Sequence, residues 1–305
     1  MPRVSVIIPY YNSEEQISET LRSLFEQKYK DYEIIIVDDG SNKSINLFDT
    51  RDIKYIRLEN NKGPSAARNI GLYRAQGDFI QFIDSGDMLY PDKLSSQIPF
   101  LEENPDISFV FSDYKIIYQK YNFSEEVVFG AAQEKAVNSV LKGRLLHLNA
   151  MLFRRSILLE LGGFDEGLRQ CEDWDLWIRL LSLDYACRYL GGCFSEYVKR
   201  KDSITDAMSE WVSQLESMIL KRRKDKEFLR KLGLGKCVFF SNVYFLAAWR
   251  LHVRGNLGQA LKYYTKSLFS NPVIFVGNLF LLLLKAIKFA FFVLSNRLKK
   301  LFGHG

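Results

Sequence analysis

Two hydrophobic patterns alternate along the first half of the chain. Short, almost unbroken apolar runs, VSVIIPYYN (4–12), EIIIVD (33–38), IKYIRL (53–58), DFIQFID (78–84) and ISFVFSDY (107–114), are each bounded by polar, Gly or Pro residues. Runs of that length, rich in Ile, Val and Phe, read as strands buried on both faces. Between them apolar residues recur at helical spacing. Ile17, Leu21, Leu24 and Phe25 follow Ser13-Glu14-Glu15-Gln16, which resembles a capping box. Pro64 and Gly77 frame a helix over 65–76, and Pro91 opens another that ends near Asn104-Pro105. This alternation predicts an α/β fold with a mostly parallel sheet and helices on both faces.

The pattern weakens over 118–142, which reads as a connection. It returns with a strand at 150–153, a helix, a Gly162-Gly163-Phe164-Asp165 turn, and a helix carrying Trp174, Trp177, Leu180 and Leu181. A charged helix over 221–231 reads as a solvated linker. The stretch 247–272 has the helix, Gly-containing turn, helix, Pro layout of one tetratricopeptide-like unit. One such unit cannot bury its own apolar face, so it must pack on something else. The organisation expected is an α/β domain over 1–220 and a basic α-helical extension over 221–305.

At 305 residues, 47% hydrophobic and 26% charged, the chain is globular in composition rather than disordered. Cys171, Cys187, Cys193 and Cys237 form no CxxC pair, which favours buried free thiols in a reducing compartment over a zinc site. The chain enters a strand pattern at once, without a signal-like apolar segment, and a cytoplasmic location is expected. Charge is divided. From Lys221 onward there are 17 basic and two acidic residues, a net +15, whereas the first 220 residues carry −9. A basic tail rich in Phe and Leu suits an anionic membrane surface better than nucleic acid. The stretch 273–294 is strongly apolar, but Asn278, Lys285 and Lys288 within it, and Asn296 and Lys299 just beyond it, fall largely on one side of a helix. Two lysines inside it disfavour a span and point to an interfacial helix, peripheral on the inner face of the membrane.

The candidate chemistry lies where strands end. Asp38-Asp39-Gly40 closes the second run, Asp84-Ser85-Gly86-Asp87 closes the fourth, and NKGPSAARNIG (61–71) lies between them. Carboxylates at adjacent strand ends, with a Gly- and Arg-bearing loop, suit a ligand carrying a sugar, a ribose and phosphates. With CEDWDLWIRL (171–180), these motifs make residues 1 to about 205 resemble the catalytic domain of glycosyltransferase family 2. The resemblance implies the GT-A fold and an inverting, nucleotide-sugar-dependent enzyme.

It further implies that Pro9, Tyr11 and Asp39 line the nucleobase pocket, with Asp39 accepting from the imide of uracil. Gly63 and Ser65 would admit the nucleotide close to the backbone, Arg68 would contact nucleoside or diphosphate, and Asp84 would meet ribose or metal. Asp173 would be the general base, Glu172 would bind an acceptor hydroxyl, and Trp174 would offer a stacking face. Asn69 and Gly71 are expected to hold turn and packing. Trp177 is expected in the core, Arg179 in a structural ion pair, and Asp175 as an exposed helix acid.

Two departures from the family pattern bear on the metal. Gly86 stands where the middle acid of the metal-binding motif belongs, leaving Asp84 and Asp87 as ligands for Mg²⁺ or Mn²⁺ in a weakened site. In the tyrosine-led segment where many members carry a His, this chain has Tyr197, Lys199, Arg200 and Lys201 instead. Those three cations are candidates to neutralise the diphosphate directly. The reading is a hexosyl- or aminohexosyltransferase that uses a UDP-sugar and a saccharide or lipid-linked acceptor in polysaccharide or cell-envelope glycan synthesis. The alternatives are a non-catalytic nucleotide-sugar binder, opposed by the intact Glu172-Asp173, and a nucleotidyltransferase, opposed by the lack of a triphosphate loop after the first strand.

Overall fold

The structure, a computed structural model, describes residues 1–45, 53–129, 147–183, 185–200, 208–226, 229–230, 236–253 and 255–280. The chain divides into two compact units, Met1–Val140 with Arg144–Lys231, and Leu141–Gly143 with Leu232–Gly305.

In the first unit the elements run β1 (Val4–Tyr10), α1 (Glu14–Phe25), β2 (Tyr32–Asp38), β3 (Ile53–Arg57), α2 (Pro64–Arg74), β4 (Phe79–Phe82), β5 (Met88–Leu89), α3 (Lys93–Glu103), β6 (Phe109–Tyr118), β7 (Phe123–Val127), β8 (Met151–Arg154), α4 (Arg155–Glu160), α5 (Glu172–Ser182), β9 (Cys187–Lys199) and α6 (Met208–Arg223). The strands form one sheet in the order β3-β2-β1-β4-β8-β6-β9-β5, with β7 paired to β6. The first four are mutually parallel, and β9 is parallel to β6. β8 enters antiparallel between β4 and β6, and the β5 and β7 pairings are also antiparallel.

The two-residue period of β1 distributes the core over both faces of the sheet. Val4, Val6 and Ile8 pack with Ile34 and Ile36 against Ile17, Leu21 and Leu24 of α1 and Leu94, Ile98 and Leu101 of α3. Ile7, with Ile35, Val37, Ile80 and Phe82, faces the other way, onto Ala67 and Leu72 of α2 and Leu176, Trp177 and Leu180 of α5. Gly71 lets α2 approach β1 closely, because a Cβ there would lie 2.4 Å from Ile7 Cγ2.

Several expectations change. Ser13 precedes α1, but its hydroxyl makes no capping bond and is buried without a hydrogen-bond partner. Its backbone (φ −125°, ψ 48°) lies outside the extended region from which a cap hydroxyl reaches into the first turn. The stretch read as a connection contains β7, whose alternate residues Ser124 and Glu126 are exposed. Its apolar signal is diluted by Ser and Glu. The helix placed at 221–231 starts upstream, as α6. Asp175 is fully buried rather than exposed, because Arg179 of its own helix and Arg222 of α6 both bond to its carboxylate. The cysteines are free thiols, with Cys171 buried and Cys237 exposed.

The second unit contains α7 (Lys236–Val253) and α8 (Leu257–Ser270). Asn256 caps α8 by accepting from the Gln259 amide at 3.3 Å. The two helices pack through Ala247, Ala248, Ala260 and Tyr263, and Ser241 Oγ donates to the Ser267 carbonyl at 3.0 Å. Helix resumes over 272–280, where Val273, Val276 and Phe280 are exposed. Among the described residues no helix is long and apolar enough to cross a membrane. The remainder of the apolar stretch, 281–294, lies outside them, as do Asn296, Lys299 and Lys201.

Candidate active site

The parallel register sets Tyr10 of β1 beside Asp38 of β2, so the ends of both strands open at the same edge. Asp38 is buried and turns inward. Its carboxylate accepts from the Ser41 amide at 2.8 Å and from the Tyr55 hydroxyl. Asp39 accepts from two consecutive backbone amides of the loop before α2, Lys62 at 2.7 Å and Gly63 at 2.8 Å. Burial raises the Asp39 carboxyl above its ordinary pKa against the pull of those donors. Gly63 caps α2 at φ +95°, a left-handed region that glycine enters at little cost. Ser65 Oγ donates to the Leu168 carbonyl at 2.5 Å. Tyr11 is 44% exposed beside this edge, and Pro9 is half-buried.

Arg68 ties the next group together. Carried on α2 and 3% exposed, it sends Nη2 to Asp84 Oδ1 at 2.6 Å and Nη1 to Glu172 Oε1 at 2.7 Å. Its guanidinium lies over the Phe164 ring, 5.4 Å from the centroid, and its buried Nε has no hydrogen-bond partner. The arginine expected at the nucleotide thus bridges the end of β4 to the start of α5. Removal from water opposes its charge, yet the two carboxylates prevail and raise its pKa. For Asp84, burial pushes the carboxyl up, but the charge of Arg68 wins and holds it below the usual range.

Asp87 is 3% exposed and accepts from the Val198 amide and from Asn149 Nδ2, both at 3.0 Å. Burial, and then the charge of Asp84, push its carboxyl well above the ordinary value. His147, which no sequence motif flagged, completes the cluster. It precedes the short 3₁₀ turn Leu148–Ala150 and stacks on Tyr197 with ring centroids 4.2 Å apart. Burial lowers its pKa to about 4, so the imidazole is neutral near pH 7.

Ligand atoms of Asp84, Asp87 and His147 all lie within 4.8 Å of one another. His147 Nδ1 is buried and lacks a hydrogen-bond partner. Two carboxylates and a neutral imidazole suit a divalent cation of the Mg²⁺ or Mn²⁺ type. Such an ion, when bound, supplies positive charge to a diphosphate. The tyrosine-led segment, which has no histidine of its own, thus meets one some 50 residues earlier in sequence, stacked on Tyr197.

The catalytic-acid candidates open α5. Cys171, just before them, has φ +64°, a conformation that costs a non-glycine residue of order 1–3 kcal/mol and that tends to occur at functional sites. Asp173 is half-buried and accepts from the Trp174 amide at 2.8 Å. Burial, reinforced by the adjacent Glu172 charge, raises it to about 7. Trp174, expected to offer a stacking face, is only 4% exposed. Trp177 is in the core and Arg179 pairs with Asp175 at 2.8 Å. Asn69 donates to the Phe164 carbonyl and accepts from its amide. Lys199 lies over Tyr118 and Tyr197, whereas Arg200 reaches the Gly86 carbonyl and Glu19.

The chain is similar to known proteins in sequence and in fold. The family profile described as glycosyl transferase family 2 matches residues 5–162. The UDP-Glc:alpha-D-GlcNAc-diphosphoundecaprenol beta-1,3-glucosyltransferase WfgD of Escherichia coli is 34% identical over 183 residues, 58% of this chain and 69% of that protein. The putative teichuronic acid biosynthesis glycosyltransferase TuaG of Bacillus subtilis is 29% identical over 211 residues, 67% of this chain and 82% of that protein. An uncharacterized glycosyltransferase of Rickettsia conorii is 35% identical over 187 residues, 59% of this chain, but the match spans only 30% of that protein's length. Among solved structures, S. aureus TarS 1-349 in complex with UDP-GlcNAc superposes with a TM-score of 0.60 at 19% identity over 91% of both chains. Mannosyltransferase PcManGT from Pyrobaculum calidifontis, in complex with GDP-Man and Mn²⁺, gives 0.62 at 16% identity over 100% of this chain and 88% of that one. At those identities the two superpositions establish the shared fold.

Proposed function

The chain belongs to glycosyltransferase family 2, and from that premise we propose that it transfers a hexose or aminohexose from a UDP-sugar to a saccharide or lipid-linked acceptor, in one inverting displacement. The observation that carries this is Asp173: a half-buried carboxyl, raised by burial and by the adjacent Glu172 charge, at a helix start joined through Glu172 and Arg68 to Asp84. A base tuned to the working pH is what proton removal from a hydroxyl needs. Asp173 takes the acceptor proton as the hydroxyl oxygen attacks the anomeric carbon. The bond from that carbon to the diphosphate breaks on the opposite face, and the diphosphate carries away the electron pair.

Asp84, Asp87 and His147 would hold the divalent cation, and Glu172 would orient the acceptor while Arg68 fixes it. Tyr11 and Asp39 would face the base. Asp39 spends one lone pair of each oxygen on the loop and keeps others for an imide N–H. UDP is favoured over GDP by the names of WfgD and the TarS complex. Relatives named for lipid-diphosphate and teichuronic acid glycans support a cell-envelope setting. In this reading residues 1–220 are the catalytic domain, and 221–305 hold the chain on an anionic inner membrane face through net charge +15 and exposed Val273, Val276 and Phe280.

Asp173→Asn tests the mechanism. Turnover is expected to fall by at least about 100-fold with UDP affinity unchanged. Near-normal turnover in the variant removes Asp173 as base, and a parent protein that turns over no nucleotide sugar is a binder only. For the tail, the full chain is expected to sediment with anionic but not neutral vesicles and to be released by salt. Retention after carbonate washing would instead indicate a spanning segment.

A further inference from the structure

Gly86 lies between Asp84 and Asp87 with φ +97°, and a Cβ built on it would fall 1.9 Å from Arg200 Nη1 and 2.5 Å from Arg200 Cζ. The guanidinium occupies the volume that a side chain at position 86 would fill. Its seat is built from two segments, the loop 84–87 and α1. The Gly86 carbonyl accepts from Arg200 Nη2 at 3.1 Å, and Glu19 of α1 accepts from the same nitrogen at 2.9 Å. Thr20, next to Glu19, locks the loop by accepting from the Gly86 amide at 2.7 Å and donating to the Asp87 carbonyl at 2.8 Å. Among the described residues Arg200 bonds only through Nη2, so Nη1 and Nε remain for a ligand. The Arg200 side chain is 21% exposed.

We infer that Gly86 and Arg200 form one exchanged unit: loss of the acid at 86 removes a negative charge and opens room for a permanent cation that grips the donor diphosphate, with Glu19 as its positioning residue. This rests on the nucleotide-sugar reading above. The planar donor fork of Arg matches phosphate oxygens better than a point charge. Position 86 thereby contributes positive rather than negative charge beside Asp84 and Asp87, and diphosphate binding needs the divalent ion less. Neither a glycine in the acidic loop nor a basic triplet after a tyrosine shows this coupling alone. Their contact does.

The test is titration calorimetry on the full chain in chelator, with UDP and uridine and, in parallel, GDP and guanosine. The parent is expected to bind one diphosphate more tightly than its nucleoside without metal. Arg200→Ala should weaken the diphosphate about 10- to 100-fold, as loss of a charged hydrogen-bond pair does, and leave the nucleoside unchanged. Arg200→Lys should recover part of the loss. Gly86→Ala, which must displace the guanidinium, should weaken the diphosphate too, and the double variant should be no weaker than Arg200→Ala alone. Equal loss of diphosphate and nucleoside, no loss, or fully additive effects would overturn the inference. Binding only in the guanine series would discard the uracil assignment while the Arg200 comparison is read on GDP. If the parent binds neither diphosphate without metal, the cation seat is wrong; if it binds neither with Mn²⁺ either, the nucleotide-sugar reading falls as well.

Discussion

Asp39 and Asp84 both follow strands of the parallel half of the sheet, yet they are held by different means. Asp39 is held by neighbouring backbone: two consecutive amides, at 62 and 63, close on its carboxylate. Asp84 is held by a side chain, the Arg68 guanidinium, which binds Glu172 at the same time. At the proposed base-binding end the hold is two backbone amides of the loop before α2, 23 and 24 residues further along the chain. At the catalytic end it is a network of charges from distant segments, and each member's protonation depends on the others. One end should therefore lose affinity in a graded way when altered, and the other should lose structure.

The largest effect should come from Arg68→Ala. It leaves the largely buried Glu172 without its cation, while Asp84, whose side chain is 42% exposed, is partly screened by solvent, so the cost should lie below the about 3–5 kcal/mol of breaking a fully buried pair. Denaturant melts should show that loss, and Arg68→Lys, with a single ammonium for two partners, should fall between. A loss below 1 kcal/mol would show that the network is solvated and would erase the contrast.

Asp39→Ala should act on affinity instead. Losing the loop tether and the base contact is expected to weaken UDP by about 1.5–3 kcal/mol, with little change in melting. Calorimetry with UDP measures it, and a collapse in stability comparable to that of Arg68→Ala would place both ends in one class.

The pH profile probes the coupling within the catalytic end. Asp173 must be ionised to act, so turnover should rise with pH through about 7 and level off above, as its raised pKa requires. Glu172→Gln removes a neighbouring negative charge and should move the midpoint to lower pH, whatever it does to the maximum. The stability linkage has the opposite sign. The folded carboxyl holds its proton more tightly than an unfolded one at 3.8, so its contribution to stability falls as pH rises from about 4 to about 7. An unshifted midpoint in the Gln variant would leave burial as the sole cause.

The smallest effect separates a paired buried cation from an unpaired one. Lys93 is fully buried, its ammonium bonded among the described residues only to the Gln97 side-chain oxygen at 2.8 Å, and burial drives its pKa well down. The unfolded chain binds a proton there that the folded chain does not, so stability should climb as pH rises toward 10.5. Lys93→Met should raise stability at pH 7 by about 1–2 kcal/mol and flatten that slope, the reverse of Arg68→Ala.

Much of the fold was readable because its signals are local. The unbroken Ile/Val runs gave β1 and β2 to within a residue or two, and Pro64 marked the first turn of α2. β7 and β9 escaped because Ser, Glu, Gly and Cys interrupt their apolar positions. Asp175 was misplaced for a different reason. Helical periodicity gives the face on which a residue lies, but not whether another element covers that face, as α6 does through Arg222.

The sequence by itself determined the order of the parallel strands and the helices between them, the acids at the strand ends, the Glu172-Asp173 pair and the family. Each of these is a short-range pattern of polarity or a contiguous motif, complete before the chain has folded. Only the tertiary structure decided that Arg68 joins Asp84 to Glu172 across 104 residues of sequence, that His147 stands with Asp84 and Asp87, and that Arg200 fills the room left at Gly86. Those contacts join side chains from elements far apart in the chain, and their distances follow from how the helices pack on the sheet, which no local pattern specifies.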